Sequence, residues 1–147
     1  MRDAGPTIRV KLLRKGARLP ERATEGATGY DVYAALEGAS VEVGQSPALI
    51  PTGIALEVPP GYDAQLRPRS GLARKGVLAT FGTLDSDYRG ELMITLYSIA
   101  PDIRYTVHDG DRIAQLVLAR VVHPTFVKAA ELSDTTRGHG GHGSTGR

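Results

Sequence analysis

The strongest constraint on this chain is a period-two alternation, interrupted every few residues by turn chemistry. Thr7–Leu13 reads TIRVKLL, which sets Ile8, Val10 and Leu12 on one face and Arg9 and Lys11 on the other. Glu91–Ser98 reads ELMITLYS, with Leu92, Ile94 and Leu96 alternating in the same way. Val41/Val43, Ile54–Val58, Tyr62–Leu66 and Arg112–Val122 are further short extended runs. Between them lie Gly38, Gly44, Pro51-Thr-Gly53, Pro59-Pro60-Gly61, Asp85-Ser-Asp87 and Asp109-Gly110-Asp111, residues that favour turns through backbone geometry or local hydrogen bonding. No apolar pattern at helical spacing lasts longer than about three turns. Ser70–Lys75 suffices for one helical turn, which Ser70 would cap and Gly76 would end. The pattern predicts an all-β fold, an antiparallel sandwich, jelly roll or barrel, with at most one short helix.

Composition narrows the chemistry. A length of 147 residues suits one domain. The absence of cysteine excludes a disulfide framework, a cysteine nucleophile, a zinc ribbon and an iron–sulfur cluster. Six Tyr, two Phe and no Trp mean that the core must be built from Val, Ile, Leu and Ala, and that few side chains can stack on a planar ligand. Lys and Arg total 18 against 16 Asp and Glu, with no long run of one sign, so no nucleic-acid footprint is visible. There is no apolar stretch long enough for a membrane span, and MRDAGPTIRV lacks the apolar run of a secretory signal. A soluble, cytoplasmic protein with no nucleic-acid or membrane partner is the expectation.

The last segment differs from the rest. Residues 133–147 read SDTTRGHGGHGSTGR, with no large apolar side chain, so they cannot pack a core of their own. They form either a flexible, disordered tail or a lid that orders on a ligand, with Arg137, Ser144 and Thr145 as donors to an anion. Their likeness to a phosphate loop fails in context, because the lysine and the following helix are missing. The chain therefore divides into a β-domain over 1–132 and a glycine-rich C-terminal lid over 133–147.

Four internal segments share this small, polar, turn-rich character. Ala27–Ala34 reads ATGYDVYA and carries the lone carboxylate Asp31, which taken alone reads as an ordinary hairpin-entry residue. Arg67-Pro-Arg-Ser-Gly71 sets two guanidiniums and a hydroxyl at a strand end, suited to phosphate or carboxylate recognition. Gly82–Gly90 reads GTLDSDYRG; Asp85 and Asp87 share a face if it is extended, whereas in a turn one of them only caps the backbone. Gly110–Leu116 reads GDRIAQL, a turn entering a strand. Together they offer a carboxylate for a hard metal, arginines for phosphates and a carboxylate for base chemistry. His108, His123 and His139 do not have the spacing of a zinc site and read as structural or exposed.

These four segments and the tail, in this order from Ala27 to Gly146, resemble the five motifs of the trimeric deoxyuridine triphosphate nucleotidohydrolases, the dUTPases. The resemblance implies a jelly-roll-type antiparallel β-sandwich in a homotrimer, with each active site shared between subunits. It also implies magnesium-assisted hydrolysis of dUTP to dUMP and pyrophosphate, which limits uracil in DNA and supplies dUMP for thymidylate synthesis. By the same resemblance Asp85, rather than Asp87, is the catalytic base for the attacking water, and Asp31 holds Mg2+ through water. Ser70, Gly71 and Gln115 bind the α- and β-phosphates; Arg69 joins that cluster or orders it by pairing with a carboxylate. Tyr88 lies against the deoxyribose and excludes a 2′-hydroxyl. Gly82, Thr83 and Leu84, in a hairpin over Ala79–Leu84, read uracil with main-chain groups. Arg137 reaches the γ-phosphate, and Gly143, Ser144 and Thr145 add donors from the lid.

The chain departs from the family pattern at His142, where most members have a Phe that stacks on uracil. It departs also at Ala79, where many have Asn, and at Thr28, where Ala is usual. The nearest rival is a deoxycytidine triphosphate deaminase, which shares the fold and an arginine-serine segment but activates water at the base. A noncatalytic nucleotide-binding module on the same scaffold is the alternative from another class.

Overall fold

In Glu91–Ser98 alternation becomes burial without a break: Leu92, Ile94, Leu96 and Ser98 are buried and their neighbours are half-buried. The computed structural model describes residues 5–146. The first four residues of the expected 1–132 domain, and Arg147 at the end of the expected lid, lie outside the described residues. In chain order the elements are β1 (Arg9–Leu12), β2 (Tyr30–Tyr33), β3 (Ser40–Val43), β4 (Ala48–Glu57) and β5 (Tyr62–Arg67). There follow α1 (Ser70–Ala73), β6 (Val77–Ala79), β7 (Gly82–Leu84), β8 (Glu91–Ser98), β9 (Tyr105–His108) and β10 (Arg112–Arg120).

The strands form a four-stranded sheet β1-β4-β8-β6, a second β2-β10-β5-β7, and the ribbon β3-β9. All of the pairings are antiparallel, and the whole is a jelly-roll-type sandwich. Its core is aliphatic: Ile50 and Ile54 from β4 and Ile94 and Leu96 from β8 meet Val32, Ala64, Ile113 and Leu116 from the other sheet. Each Val, Ile or Leu among them stabilises the fold by roughly 1.5–3 kcal/mol when taken out of water.

Four local expectations need correction. Pro51-Thr-Gly53 is not a turn but lies inside β4, where the register against β8 shifts between Pro51 and Ala55. Proline, which has no N–H to give a ladder, sits where pairing lapses into the bulge; its carbonyl accepts Ala35 N–H at 2.9 Å, and Gly53 takes φ +68°. Ser70 does not cap α1. The N-cap is Arg69, with extended backbone and no side-chain cap hydrogen bond, so Ser70 is the first helical residue. Gly76 does end the turn, at φ +76° and packed so tightly that a Cβ would lie 2.5 Å from Ile103 Cδ1. Leu12 shares its parity with Val10 but stays half exposed, beyond the reach of the core. Finally, Ala79–Leu84 is not a hairpin: β6 pairs with β8 and β7 pairs with β5, so the chain crosses from one sheet to the other at Thr80-Phe81. The crossing leaves β6 and β7 as terminal strands, each with one backbone edge unpaired in its sheet.

Candidate active site

Register across the second sheet gathers one group of polar side chains. Gln115 on β10 lies opposite Asp31 on β2 and opposite Arg67 on β5, so the three share a row across the sheet. The Asp31 side chain is only 13% exposed. Arg69 Nε approaches its Oδ1 at 3.1 Å, and Arg112 Nη1 lies 3.7 Å from its Oδ2. Arg69 Nη1 also donates to the Arg112 carbonyl at 3.3 Å. Gln115 Nε2 donates to the Pro68 carbonyl at 3.0 Å, which holds the amide beside the strand end that leads to Ser70. Gly29 is required here for space, because a Cβ would lie 2.3 Å from Gln115 Oε1. Arg67, Arg69, Ser70, Gln115 and the exposed ring of Phe81 line an open cavity of about 530 Å³. Around Gly71, nothing within 4 Å would meet a Cβ.

A second group stands on the other face. A cavity of about 280 Å³ is lined by Leu66, Gly82, Thr83, Leu84, Asp85, Tyr88, Glu91, Leu92 and Met93. Asp85 opens a turn that closes when Tyr88 N–H donates to the Asp85 carbonyl at 3.1 Å. Asp87 does not line this cavity; it lines a neighbouring one with Asp63 and His123, which Asp85 also borders. The Tyr88 ring lies over Gly90, where a Cβ would come within 2.3 Å of its hydroxyl, and that hydroxyl donates to the Glu91 carbonyl at 3.1 Å. Glu91 is in turn held by the guanidinium of Arg14 and by Gly53 N–H, which keep its carboxyl below the ordinary carboxylate range despite partial burial.

Leu66 lines the cavity that carries Asp85, whereas Gln65 and Arg67 line the cavity with Arg69, Ser70 and Gln115. Successive residues of a strand face opposite ways, so these groups occupy opposite faces of β5 and do not converge within one chain. The tail joins neither. Its described hydrogen bonds are internal turns, such as Arg137 Nε to the Gly140 carbonyl at 2.7 Å and Ser144 N–H to the Gly141 carbonyl at 3.0 Å. Arg137, His142, Gly143, Ser144 and Thr145 line neither cavity. His142 has φ +49° beside Gly143 at +89°, a local left-handed kink.

Sequence reasoning missed Arg112, Arg14, Glu91 and the packing role of Gly29. The adjacency of Arg112 to Asp111 and the start of β10 was visible, but only strand register reveals that it shares Asp31 with Arg69. For a metal, no group of three His, Cys, Asp or Glu side chains converges among the described residues. Asp31, with two arginines upon it, cannot cage a cation alone. It retains lone pairs for a water, and this fits a hydrated hard ion whose remaining ligands come from a bound polyphosphate. No helix among the described residues is long and apolar enough to cross a membrane.

Comparison with known proteins bears on this geometry. A sequence model of the dUTPase family matches residues 15–146. The deoxyuridine 5′-triphosphate nucleotidohydrolase of Bdellovibrio bacteriovorus is 49% identical over 132 residues, covering 88% of each chain. Among solved structures, the dUTPase of Staphylococcus bacteriophage 80alpha with dUPNHPP superposes with a TM-score of 0.84 at 31% identity, covering 97% of this chain and all of that one. A variant of the dUTPase from phage phi11 of S. aureus, described with a structural Mg(II) ion, gives a TM-score of 0.75 at 29% identity over 86% of this chain and 98% of its own. The aliphatic sandwich, the ordered polar segments and these similarities agree: the chain belongs to the dUTPase family and is a nucleotidohydrolase of that class.

Proposed function

We propose that this enzyme hydrolyses dUTP to dUMP and pyrophosphate in the cytoplasm, by attack of an Asp85-activated water on the α-phosphorus. The sites are shared between subunits of a homotrimer. The observation that carries the reading is that Asp85 and Tyr88 share one cavity, while the phosphate-type donors Arg69, Ser70 and Gln115 line another on the opposite face of β5. One chain therefore holds two half-sites, and a threefold ring lets the nucleoside half of one subunit face the phosphate half of the next. The 80alpha enzyme, structurally similar over nearly the whole chain, is described with a dUTP analogue.

Each role follows from what the side chain can do. Asp85, acceptor-only when ionised and exposed on its turn, takes the proton of the attacking water. Tyr88 presents a rigid ring that fills the volume a 2′-hydroxyl would need. The unpaired edges of β6 and β7, including Gly82, Thr83 and Leu84, offer N–H and C=O groups to the uracil. Ser70 donates from its hydroxyl, and Gly71 lets the backbone approach phosphate closely. Gln115, tethered to the Pro68 carbonyl, stands ready for a phosphate oxygen or its water. Arg69 acts mainly by pairing with Asp31, which keeps the carboxylate in place. Asp31 would hold Mg2+ through water. When bound, the ion neutralises triphosphate charge and helps align the α-phosphorus. Arg137, His142, Gly143, Ser144 and Thr145 close over the nucleotide from the tail, Arg137 on the γ-phosphate and His142 against the base.

The test is pyrophosphate release from dUTP compared with dTTP, dCTP and UTP, with and without magnesium, alongside ammonia release from dCTP. Magnesium-dependent release confined to dUTP is the expected result. Ammonia release from dCTP would replace this reading with a deaminase, and no turnover of any nucleotide would replace it with a binding module.

A further inference from the structure

We infer that Arg14 and Glu91 form a positioning clamp that sets the preference for deoxyribose over ribose, by fixing the backbone on which the Tyr88 hydroxyl is anchored. The inference rests on the sugar-excluding role proposed above for Tyr88. Residue 14 follows β1, and Glu91 opens β8, 77 positions later. Their side chains meet fork to fork, Nη1 on Oε1 and Nη2 on Oε2 at 2.9 Å, and only 27% and 22% of each remains exposed. A bidentate, partly desolvated arginine–carboxylate pair adds geometric specificity as well as strength, because two parallel N–H···O bonds must align at once.

The clamp has a third member. Gly53 N–H, inside the β4 bulge, donates to Glu91 Oε1 at 2.8 Å, and the Gly53 carbonyl accepts Leu13 N–H at 2.7 Å. Gly53 sits at φ +68°, where a Cβ would lie 2.8 Å from Ala17 Cβ and 3.2 Å from Arg14 Nη1. The end of β1, the bulge of β4 and the start of β8 are thus joined at one carboxylate.

What that junction holds is the sugar side of the cavity. The Glu91 carbonyl accepts the Tyr88 hydroxyl at 3.1 Å, and Gly90 leaves the ring room to lie back upon it. The loop carrying Tyr88 is otherwise braced by Arg89, which binds the carbonyls of Ser86 and Tyr88 within the same loop and reaches Glu57 at 3.6 Å across exposed surface. Those contacts shape the turn but attach it weakly to the sandwich. The part-buried Arg14–Glu91 pair reinforces the Ala55–Glu91 ladder pairing as the attachment to the sandwich, and loosening it lets the ring swing away from the position that would exclude a 2′-hydroxyl.

The experiment measures kcat and KM for dUTP and UTP in the full-length wild type and in Arg14→Gln, Arg14→Lys, Glu91→Gln, Tyr88→Phe, Tyr88→Ala and the double variant Arg14→Gln/Tyr88→Phe, with thermal unfolding of each. Arg14→Gln and Glu91→Gln are expected to relax the dUTP/UTP ratio of kcat/KM by roughly three- to thirtyfold, chiefly through a lower KM for UTP. Arg14→Lys, which keeps charge without the fork, should fall between. The double variant should relax the ratio no further than Tyr88→Phe alone, because the hydroxyl anchor is already gone. If Tyr88→Ala relaxes the ratio while Arg14→Gln, Glu91→Gln and Tyr88→Phe leave it unchanged and only lower the melting temperature, the clamp is structural and the inference is overturned. A ratio unchanged in Tyr88→Ala overturns the role of Tyr88 and the clamp with it. Should Arg14→Gln and Glu91→Gln not fold, Arg14→Lys and Tyr88→Phe decide alone, and an unchanged ratio in both overturns the inference.

Discussion

Asp85 and Asp87 have the same chemistry two positions apart, and only their surroundings separate them. Asp85 lines both the cavity that holds Tyr88 and the one with Asp63 and His123, whereas Asp87 lines only the second. Replacing Asp85 by Asn keeps the size and removes the base, so binding of a nonhydrolysable dUTP analogue should persist while single-turnover hydrolysis slows by at least about a hundredfold. Gly29→Ala should act on the other half-site. Its new Cβ would occupy the place of Gln115 Oε1, forcing the amide off the Pro68 carbonyl; a raised KM for dUTP with the fold retained is the expected readout. His142 has less apolar area than the Phe usual in the family, so His142→Phe should tighten analogue binding, and titration calorimetry at two pH values would show it.

At the scale of elements, the sandwich and the tail behave as separate objects. Residues 122–139 are exposed throughout and form no strand, so removing the chain after Asp134 takes nothing from the core. That truncation should leave melting unchanged and activity severely reduced; full activity would show that the tail takes no part in closure. Within the sandwich, Ile94 at the centre of β8 is 1% exposed, and Ile94→Ala should cost about 2–5 kcal/mol in urea unfolding. The junction of β1, β4 and β8 adds a pH dependence of known sign. Arg14 first, then Gly53 N–H, lowers the Glu91 carboxyl below its ordinary 4.5. Stability from these contacts is therefore complete above that value and is lost as pH falls through the lowered one. Glu91→Gln should flatten the acid limb of a stability–pH curve, and an unchanged limb would assign it to other carboxylates.

At the scale of the whole molecule, the two half-sites proposed on opposite faces of β5 would make subunit assembly part of the chemistry. Co-expressing Asp85→Asn with Arg69→Gln should restore roughly a quarter of wild-type sites in mixed trimers, because each intact site draws one undamaged half from each parent. A mixture no more active than its parents would confine each site to one chain. Much of this architecture was legible in the residues. The alternation of TIRVKLL and ELMITLYS determined two strands, and in ELMITLYS the buried face as well, since side chains on a pleat alternate with period two. In TIRVKLL only the edge position of β1 decided that Leu12 stays exposed. The ordered segments around Asp31, Arg69, Asp85, Gln115 and Arg137 determined the family. Tertiary structure alone decided that Pro51–Gly53 bulges within a strand, that β6 and β7 belong to different sheets, and that Arg112 shares Asp31 with Arg69. It alone decided, too, that Arg14 meets Glu91 across 77 positions. Turn residues are punctuation with no addressee, and a charge names no partner until strand register brings one within reach.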